Sequence, residues 1–344
     1  MVARTEPDER ELLDAARGGD EEAFRRVLQP YRTQLHAHCY RMLGSLHDAE
    51  DVMQEVLLRA WRGLRGFDGR SSLRTWLFRV ATNACLDAIA RRPRRVLPID
   101  YGPAVTMPDE SATPAEHVAW IEPYPDEAMQ VEEGYASPEA RYEQREAVEL
   151  AFVAALQFLP PRQRAVLILR DVLGFSAKEV ADALGTTRAS VNSALQRARK
   201  TVEDRAPERS QQAVARAIGD EAVRDVVERF TDAFERGDTG AIVAMLADDA
   251  TFSMPPYAAW SRGREAVTDS WLMPSGPGAG LRYLATRANG QPAVGAYRLT
   301  PDGERYVPIA LDVLTLRGTT IAAITAFRSP ELFPWFGLPE ELAA

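Results

Sequence analysis

The sequence of 344 residues has few side chains that commonly bind metals or form disulfides: two cysteines, Cys39 and Cys85, and four histidines. Two isolated thiols argue against a disulfide framework and exclude a structural zinc site built from cysteines. His36 and His38 are two positions apart, so they do not share a helix face as a metal-binding pair would. We therefore expect no metal and no cofactor, and we expect both cysteines to be buried core residues.

Long apolar runs are also missing. No stretch of about 18 or more apolar residues occurs, and the charged N-terminus lacks the apolar core of a signal peptide. We therefore expect no membrane insertion and a cytoplasmic location. The formal net charge is −9, but arginines are concentrated between Arg65 and Arg95 and acids between Val96 and Arg145. Because this distribution matters more than the total, a DNA-binding function is not excluded.

The spacing of apolar residues divides the chain into four parts. Helical periodicity fills residues 8–95 and returns over residues 139–205. Between them, residues 96–138 are rich in proline and acids, which is typical of an extended linker. Residues 212–335 begin with helices and continue as strand-like runs joined by hairpin-type turns. We therefore predict a multidomain protein with two all-α modules and a C-terminal α+β domain.

An apolar island of Trp120, Ile121 and Tyr124 interrupts the linker. Two interpretations remain open at this point. The island docks on a protein surface, or it collapses into a local cluster, because a patch of this kind is unfavourable when left exposed to water.

The segment Phe175–Lys200 predicts a helix-turn-helix. Ser176 and Glu179 have the spacing of a capping box, and Gly185 supplies the tight turn between the helices. Outside the apolar stripe of the second helix lie Arg, Asn, Gln and Ser side chains, which contact bases and phosphates in a major groove. The candidate DNA-binding residues are Arg188, Ser190, Asn192, Ser193, Gln196, Arg197 and Lys200. The alternative is an ordinary helical hairpin with solvated arginines.

The first module carries an acidic face and a basic helix. Acids on the predicted helix Asp48–Trp61 continue past its first turn, which exceeds what the helix dipole requires and suits a basic protein partner. Downstream, a polar loop containing Phe67 precedes an Arg-rich helix, a combination suited to single-stranded DNA. Alternatively, Phe67 and Trp76 belong to the core and Asn83 lies on a solvated face.

Several of these segments resemble sigma factors of the sigma-70 family. The runs Ala49–Val56 (AEDVMQEV) and Thr75–Asn83 (TWLFRVATN) are similar to region 2. The run Leu159–Val166 (LPPRQRAV), followed by the helix-turn-helix, is similar to region 4. Because no convincing segment for regions 1 or 3 is present, the layout resembles the extracytoplasmic-function (ECF) class.

The resemblance implies a partner for each surface. Asp48, Asp51, Gln54 and Glu55 would bind the clamp helices of the polymerase β′ subunit, and region 4 would also contact the β-flap. The helix-turn-helix would read the −35 element as duplex, while region 2 would capture a flipped base of the melted −10 element. The implied −10-binding residues are Phe67, Arg70, Ser71, Arg74, Arg79, Asn83 and Arg91.

The C-terminal region resembles the SnoaL-like, nuclear transport factor-like fold, in which helices close the mouth of a cone-shaped sheet. The runs Asp248–Pro256 and Gly263–Ala266 carry this resemblance. The fold also hosts isomerases and cyclases. Packing or docking, ligand sensing and catalysis therefore stay open as roles for this domain. The candidate pocket residues are Asp249, Tyr257, Trp260 and Tyr283, although Asp249 is as easily a turn residue.

Together, these features predict a non-enzymatic sigma factor that binds core RNA polymerase and promoter DNA. The C-terminal domain is expected to modulate this activity, and an anti-sigma factor is a further candidate partner. The sequence leaves two alternatives. The first is a helix-turn-helix regulator that does not act as a sigma subunit, and the second is a fusion whose C-terminal domain binds or converts a small molecule.

Overall fold

The computed structural model describes residues 9–105, 113–126, 147–205, 207, 209–269, 278 and 280–344. These residues form two compact units. The described part of the first unit comprises residues 9–92 and 155–205, and that of the second comprises 93–105, 113–126, 147–154 and the described chain from 207 onward. The start of the second predicted module, residues 139–146, and linker residues 106–112 and 127–138 lie outside the described residues.

The first unit is built from helices, as the apolar periodicity predicts. Its helices are α1 (Glu9–Arg17), α2 (Glu21–Leu43), α3 (Leu46–Leu64), α4 (Leu73–Ile89), α7 (Pro161–Leu167), α8 (Ala177–Leu184) and α9 (Arg188–Glu203). The second unit contains α5 (Pro98–Tyr101), α10 (Gln211–Ile218), α11 (Asp220–Arg236), α12 (Thr239–Met245) and α13 (Arg264–Val267), and α6 (Leu150–Gln157) begins in the second unit and ends in the first. A π-helical segment, Ile168–Val172, continues α7. Cys39 and Cys85 are both buried.

Side-chain caps fix where the helices of the first unit begin. Asp20, Ser45 and Ser72 accept backbone N–H groups at the starts of α2, α3 and α4. Each cap satisfies a donor that has no partner within the helix. Gly44 ends α2 in the left-handed conformation, which favours glycine because it has no Cβ.

A buried arginine holds the two helical segments of the first unit together. Arg164, at the start of α7, is 4% exposed and donates to the backbone carbonyl of Met42 at the end of α2. The same guanidinium donates to the carbonyls of Gln157 at 3.1 Å and Leu159 at 3.4 Å. Because these carbonyls are buried, the arginine satisfies acceptors that would otherwise destabilise the fold.

The second unit contains a mixed sheet covered by helices. Its strands are β1 (Leu246–Ser253), β2 (Trp260–Arg262), β3 (Leu281–Ala288), β4 (Gln291–Leu299), β5 (Arg305–Arg317), β6 (Thr320–Phe327) and β7 (Leu342–Ala343). The strand order is β2-β1-β6-β5-β4-β3, with β7 paired to β5. Strands β1 and β6 are parallel, and every other pair is antiparallel. One face of the sheet packs on α11 through an apolar core that includes Phe230 and Phe234.

Part of the predicted linker is built into this second unit. At the turn between β3 and β4, the fully buried side chain of Asn289 accepts the N–H of Tyr124 at 2.9 Å and donates to the carbonyl of Val148 at 2.7 Å. The backbone N–H of Asn289 donates to the carbonyl of Tyr124 at 2.8 Å. Gln291 accepts the N–H of Leu150 at 3.2 Å. These amides hold two separate segments of the chain, one on each side of residues 127–146.

Apolar burial reinforces this attachment. Trp120, Ile121 and Tyr124 are 8%, 1% and 0% exposed. Glu149 accepts the N–H groups of Gln211 and Gln212, each at 2.8 Å, and so caps α10. Tyr124 thus docks on the turn between β3 and β4, whereas Trp120 packs within the linker, with 5.5 Å between its ring centroid and that of Tyr101. Each of the two interpretations of the apolar island holds for part of it.

Candidate functional site

The helix-turn-helix has the geometry that its sequence predicts. The Ser176 hydroxyl accepts the N–H of Glu179 at 3.2 Å, and the Glu179 carboxylate accepts the N–H of Ser176 at 2.8 Å. These reciprocal bonds lower the pKa of the Glu179 carboxyl, because they stabilise its charged form. Gly185 then turns the chain with φ 60°, and Thr187 caps α9 by accepting the N–H of Ser190.

The second helix of this motif, α9, presents one buried and one exposed face. Val191, Leu195 and Ala198 are buried. All the candidate −35-binding residues lie on the exposed part of the helix, namely Arg188, Ser190, Asn192, Ser193, Gln196, Arg197 and Lys200. The neighbouring Arg199 differs, because it forms two hydrogen bonds to Asp171 at 2.7 and 2.8 Å. The charge available to phosphates at this end of the helix is therefore smaller than the sequence implies.

The acidic face of α3 is mostly accessible. Asp51, Gln54 and Glu55 are exposed, and Glu55 pairs with Arg59 at 2.7 Å. Asp48 differs from these three in burial, since its side chain is 13% exposed. It pairs with Arg92 at 2.6 Å, and the same guanidinium lies 3.9 Å from the Asp51 carboxylate. Contact between Asp48 and a basic partner would therefore require this ion pair to rearrange.

The candidate −10-binding residues fall into two groups. Arg70, Ser71, Arg79, Asn83 and Arg91 are exposed, which matches the solvated face considered for Asn83. Arg70 also pairs with Asp68. Phe67 and Arg74, by contrast, are less exposed and pack against aromatic rings of the first unit.

Phe67 is 8% exposed. Its ring packs on Trp76 with 5.4 Å between centroids, and the Arg17 guanidinium lies 5.6 Å from the ring centroid. In this structure, Phe67 and Trp76 thus belong to the core, which was the alternative interpretation for both.

Arg74 is enclosed by aromatic rings from both helical segments. Its guanidinium lies 4.4 Å from the ring centroid of Phe175 and 5.2 Å from that of Phe78, and it donates to the carbonyl of Leu173 at 3.0 Å. Burial lowers the pKa of Arg74, although the charge of Glu179 opposes this. An arginine stacked in this way is not available to a phosphate or a base.

Further contacts surround Arg74. The Phe78 and Phe175 rings meet edge-to-face at 5.4 Å, and the Thr75 hydroxyl donates to the Glu179 carboxylate at 3.1 Å. We call this set, Arg74, Thr75, Phe78, Phe175 and Glu179, the closure contact. It joins α4 of the region 2-like segment to the start of α8 in the helix-turn-helix. Sequence reasoning missed it because Arg74 and Leu173 are 99 positions apart.

The candidate pocket residues of the second unit are not equivalent. The Asp249 side chain is 49% exposed and pairs with Arg317 at 2.8 Å, and this hydrogen bond lowers the pKa of Asp249. Tyr257 is half-buried, and the Trp260 indole donates to the carbonyl of Gly102 at 2.8 Å. Tyr283 alone packs against the apolar core under α11. Asp249 therefore lies at the surface and does not supply a buried acid for a pocket.

Sequence reasoning also missed a buried acid. Asp312, on β5, is 3% exposed. The available signal was a single carboxylate inside the apolar run IALDVLTL, because acids are seldom fully buried without a partner. In the described part of the chain, no group of three or more His, Cys, Asp or Glu residues is placed to hold a metal ion. Among the same residues, no helix is both long and apolar enough to cross a membrane.

The chain matches family models in three places. Residues 27–95 match Sigma-70 region 2, residues 149–202 match Sigma-70 region 4, and residues 227–324 match a SnoaL-like domain. These matches confirm the predicted fold class, two all-α sigma modules followed by an α+β SnoaL-like domain.

Among curated proteins, the ECF RNA polymerase sigma factor SigG of Mycobacterium tuberculosis is 43% identical over 335 residues, covering 97% of this chain and 87% of the relative. The M. tuberculosis ECF sigma factor SigJ is 27% identical, covering 91% of this chain and 94% of the relative. The crystal structure of SigJ matches with a TM-score of 0.53 at 24% identity over 90% of this chain and 97% of that one, which shows a shared fold. The similarity to SigG extends over nearly the whole chain, and the protein therefore belongs to the ECF family of RNA polymerase sigma factors.

Proposed function

We propose that this protein binds core RNA polymerase and directs promoter-specific transcription initiation. The observation that carries this proposal is the exposed face of α9. Seven candidate base- and phosphate-contacting side chains lie on this face, while the other face of the helix is buried. The clamp helices of the β′ subunit are the proposed partner of Asp51, Gln54 and Glu55, and the β-flap that of the helix-turn-helix module. Promoter DNA is the second ligand.

The closure contact bears on how such a protein would work. The promoter positions −10 and −35 differ by about 25 base pairs, which corresponds to about 85 Å of duplex at about 3.4 Å per base pair. A compact body of about 150 residues has a radius of gyration of about 15 Å. One closed unit therefore does not reach both elements at once. We infer that the closure contact must open before the two modules engage a promoter.

Reconstituted run-off transcription tests the proposed function. Core polymerase with the purified chain is expected to yield a promoter-dependent transcript, whereas core polymerase alone is not. A protein that binds the promoter but neither associates with core polymerase nor yields a transcript would instead be a plain helix-turn-helix regulator. The variant Asp51→Lys separates binding of core polymerase from binding of promoter DNA, because it reverses a charge on the acidic face of α3 without changing α9.

Two substitutions on α9 are expected to affect promoter binding differently. Gln196→Ala removes a side chain suited to a base edge, so affinity for the preferred −35 sequence falls by about 1–3 kcal/mol and discrimination at one base is lost. Lys200→Ala removes a phosphate contact, so affinity falls on all sequences and the slope of log affinity against log salt decreases by about one. Binding titrations at several salt concentrations measure both. Identical effects of the two variants would contradict these roles.

We further propose that the C-terminal unit modulates transcription by restraining the connection between the modules. Asn289 and Gln291 hold the chain on both sides of residues 127–146. Fewer residues of the connection are then free to extend, which limits how far the two helical modules can separate. An anti-sigma factor is an additional candidate partner.

Removing the residues after Arg209 is therefore expected to raise the run-off yield. The full-length variant Asn289→Ala is the matched test, because it leaves the N–H of Tyr124 and the carbonyl of Val148 without their partners, at a cost of about 1–3 kcal/mol each. It should shift the yield in the same direction. An unchanged yield from both proteins would refute the restraint.

A further inference from the structure

The helix α1 lies outside the part of the chain that matches a sigma region. The region 2 match begins at residue 27, whereas α1 ends at Arg17. Arg17 nevertheless contacts the segment that connects α3 to α4, residues 65–72, which we call the α3–α4 loop. This loop carries Phe67, Arg70 and Ser71, three of the candidate −10-binding residues. A helix without an assigned role therefore touches a segment proposed to bind melted DNA.

The α3–α4 loop is attached to the helices at two points. Phe67 is its single buried residue, and the other seven residues of the loop are exposed. At the far end, the Ser72 hydroxyl accepts the N–H of Thr75 at 3.0 Å and fixes where α4 begins. Arg70 and Ser71 lie between these two points, so their position depends on how firmly Phe67 is held.

Arg17 holds Phe67 in two ways at once. Its guanidinium donates a hydrogen bond to the Phe67 carbonyl, and it lies 5.6 Å from the centroid of the Phe67 ring. Arg17 also pairs with Asp14 of α1 at 3.2 Å, which orients the guanidinium. A planar guanidinium can stack on a ring while its N–H groups donate in the ring's vicinity, and an ammonium group lacks this fork geometry.

The alternative is that Arg17 only attaches α1 to the helical bundle. Its Nε is buried and has no hydrogen-bond partner among the described residues. A buried donor that is left unpaired reduces the stability of a fold. Stability alone therefore does not account for this placement, and departures of this kind are expected where a residue serves a function.

We propose that Arg17 is a positioning residue for −10 recognition, which holds the α3–α4 loop in place through Phe67. Ordering a loop at the moment of binding reduces affinity, because the loss of conformational freedom opposes association. A loop that is held beforehand avoids part of this cost, so that Arg70 and Ser71 meet the melted strand in a fixed position. This inference rests on the proposed sigma function and extends it to α1.

Hydrogen exchange of the full-length protein, without polymerase or DNA, tests the hold on the loop. The N–H groups of Phe67 and Arg70 donate to the Leu64 carbonyl and the Asp68 carboxylate, each at 3.1 Å. In Arg17→Gln, both amides are expected to exchange at least about fivefold faster, because a hydrogen bond and a cation–π contact are lost. Amides within α3 should keep their native rates. Unchanged exchange at Phe67 and Arg70 would overturn the proposal.

Binding of two DNA fragments to core polymerase with the full-length protein tests the consequence for recognition. One fragment has mismatched, and therefore already melted, base pairs at the −10 element, and the other is a duplex with only the −35 element. Arg17→Gln and Arg17→Lys are each expected to weaken binding of the melted fragment at least about fivefold and to leave the duplex fragment unaffected. Native affinity of Arg17→Lys for the melted fragment would show that charge alone suffices, which contradicts a positioning role.

Arg25→Gln is the matched control. Arg25 lies on α2 and pairs with the exposed Glu22 at 3.1 Å, so the variant loses the same charge without touching the α3–α4 loop. It should bind both fragments like the native protein, and equal weakening by Arg25→Gln and Arg17→Gln would refute the assignment. Native protein that binds neither fragment would overturn the proposed sigma function as well, whereas native binding that the Arg17 variants leave unchanged would overturn this inference alone.

Discussion

The promoter-dependent transcript is expected to disappear when a short thiol-cleavable cross-linker joins positions 75 and 179 in the double variant Thr75→Cys/Glu179→Cys. These side chains meet across the closure contact, with the Thr75 hydroxyl 3.1 Å from the Glu179 carboxylate. A link at this point would hold the two helical segments together. Because one closed unit does not span both promoter elements, the linked protein should not support initiation, and cleaving the linker with reductant should restore the transcript. Run-off transcription before and after reduction measures the effect.

A matched control separates restraint from chemical damage. Lys178 and Asp182 pair at 3.2 Å within α8, so a link between cysteines at these positions leaves the closure contact free to open. That protein should transcribe with and without reductant. The native Cys39 and Cys85 are buried and should not react with the cross-linker under native conditions. Full transcription by the protein linked between positions 75 and 179 would show that the unit need not open.

The second large effect is a pH-dependent gain in stability from Asp312→Asn. The folded-state pKa of Asp312, about 7, is above its unfolded value of 3.8, so the folded chain keeps a proton that the unfolded chain releases. The stability that this proton provides is complete below about pH 4 and is lost as pH rises to about 7. The loss amounts to on the order of 4 kcal/mol. Asparagine has no such titration, so the variant should gain stability relative to the native protein between pH 4 and pH 8.

Hydrogen exchange of the amides in β4 and β5, measured at pH 4 and at pH 8 in moderate urea, reports the difference in stability between the variant and the native protein at full length. Asp249→Asn is the control of opposite sign. The hydrogen bond from Arg317 lowers the pKa of Asp249, so removing that charge should slightly destabilise the unit near neutral pH. Parallel pH profiles for the native protein and Asp312→Asn would contradict the raised pKa of this buried acid.

Some features of this protein follow from short-range patterns in its sequence. The capping box of Ser176 and Glu179 and the left-handed turn at Gly185 involve residues within a few positions of one another. Such interactions are decided by the local sequence, and so are the buried stripe and exposed face of α9. Through these patterns, the amino-acid sequence by itself determined the helix-turn-helix and the family to which the chain belongs.

Other features depended on the tertiary structure. The stacking of Arg74 on Phe175, the hold of Asn289 on Tyr124 and the burial of Asp312 all join parts of the chain that no local pattern relates. Asp249 illustrates the same limit, because an acid within a strand looks alike in sequence whether it faces a core or pairs with Arg317 at the surface. Only folding decided which polar side chains are exposed, paired or enclosed, because burial and partner distance are properties of packing between distant segments.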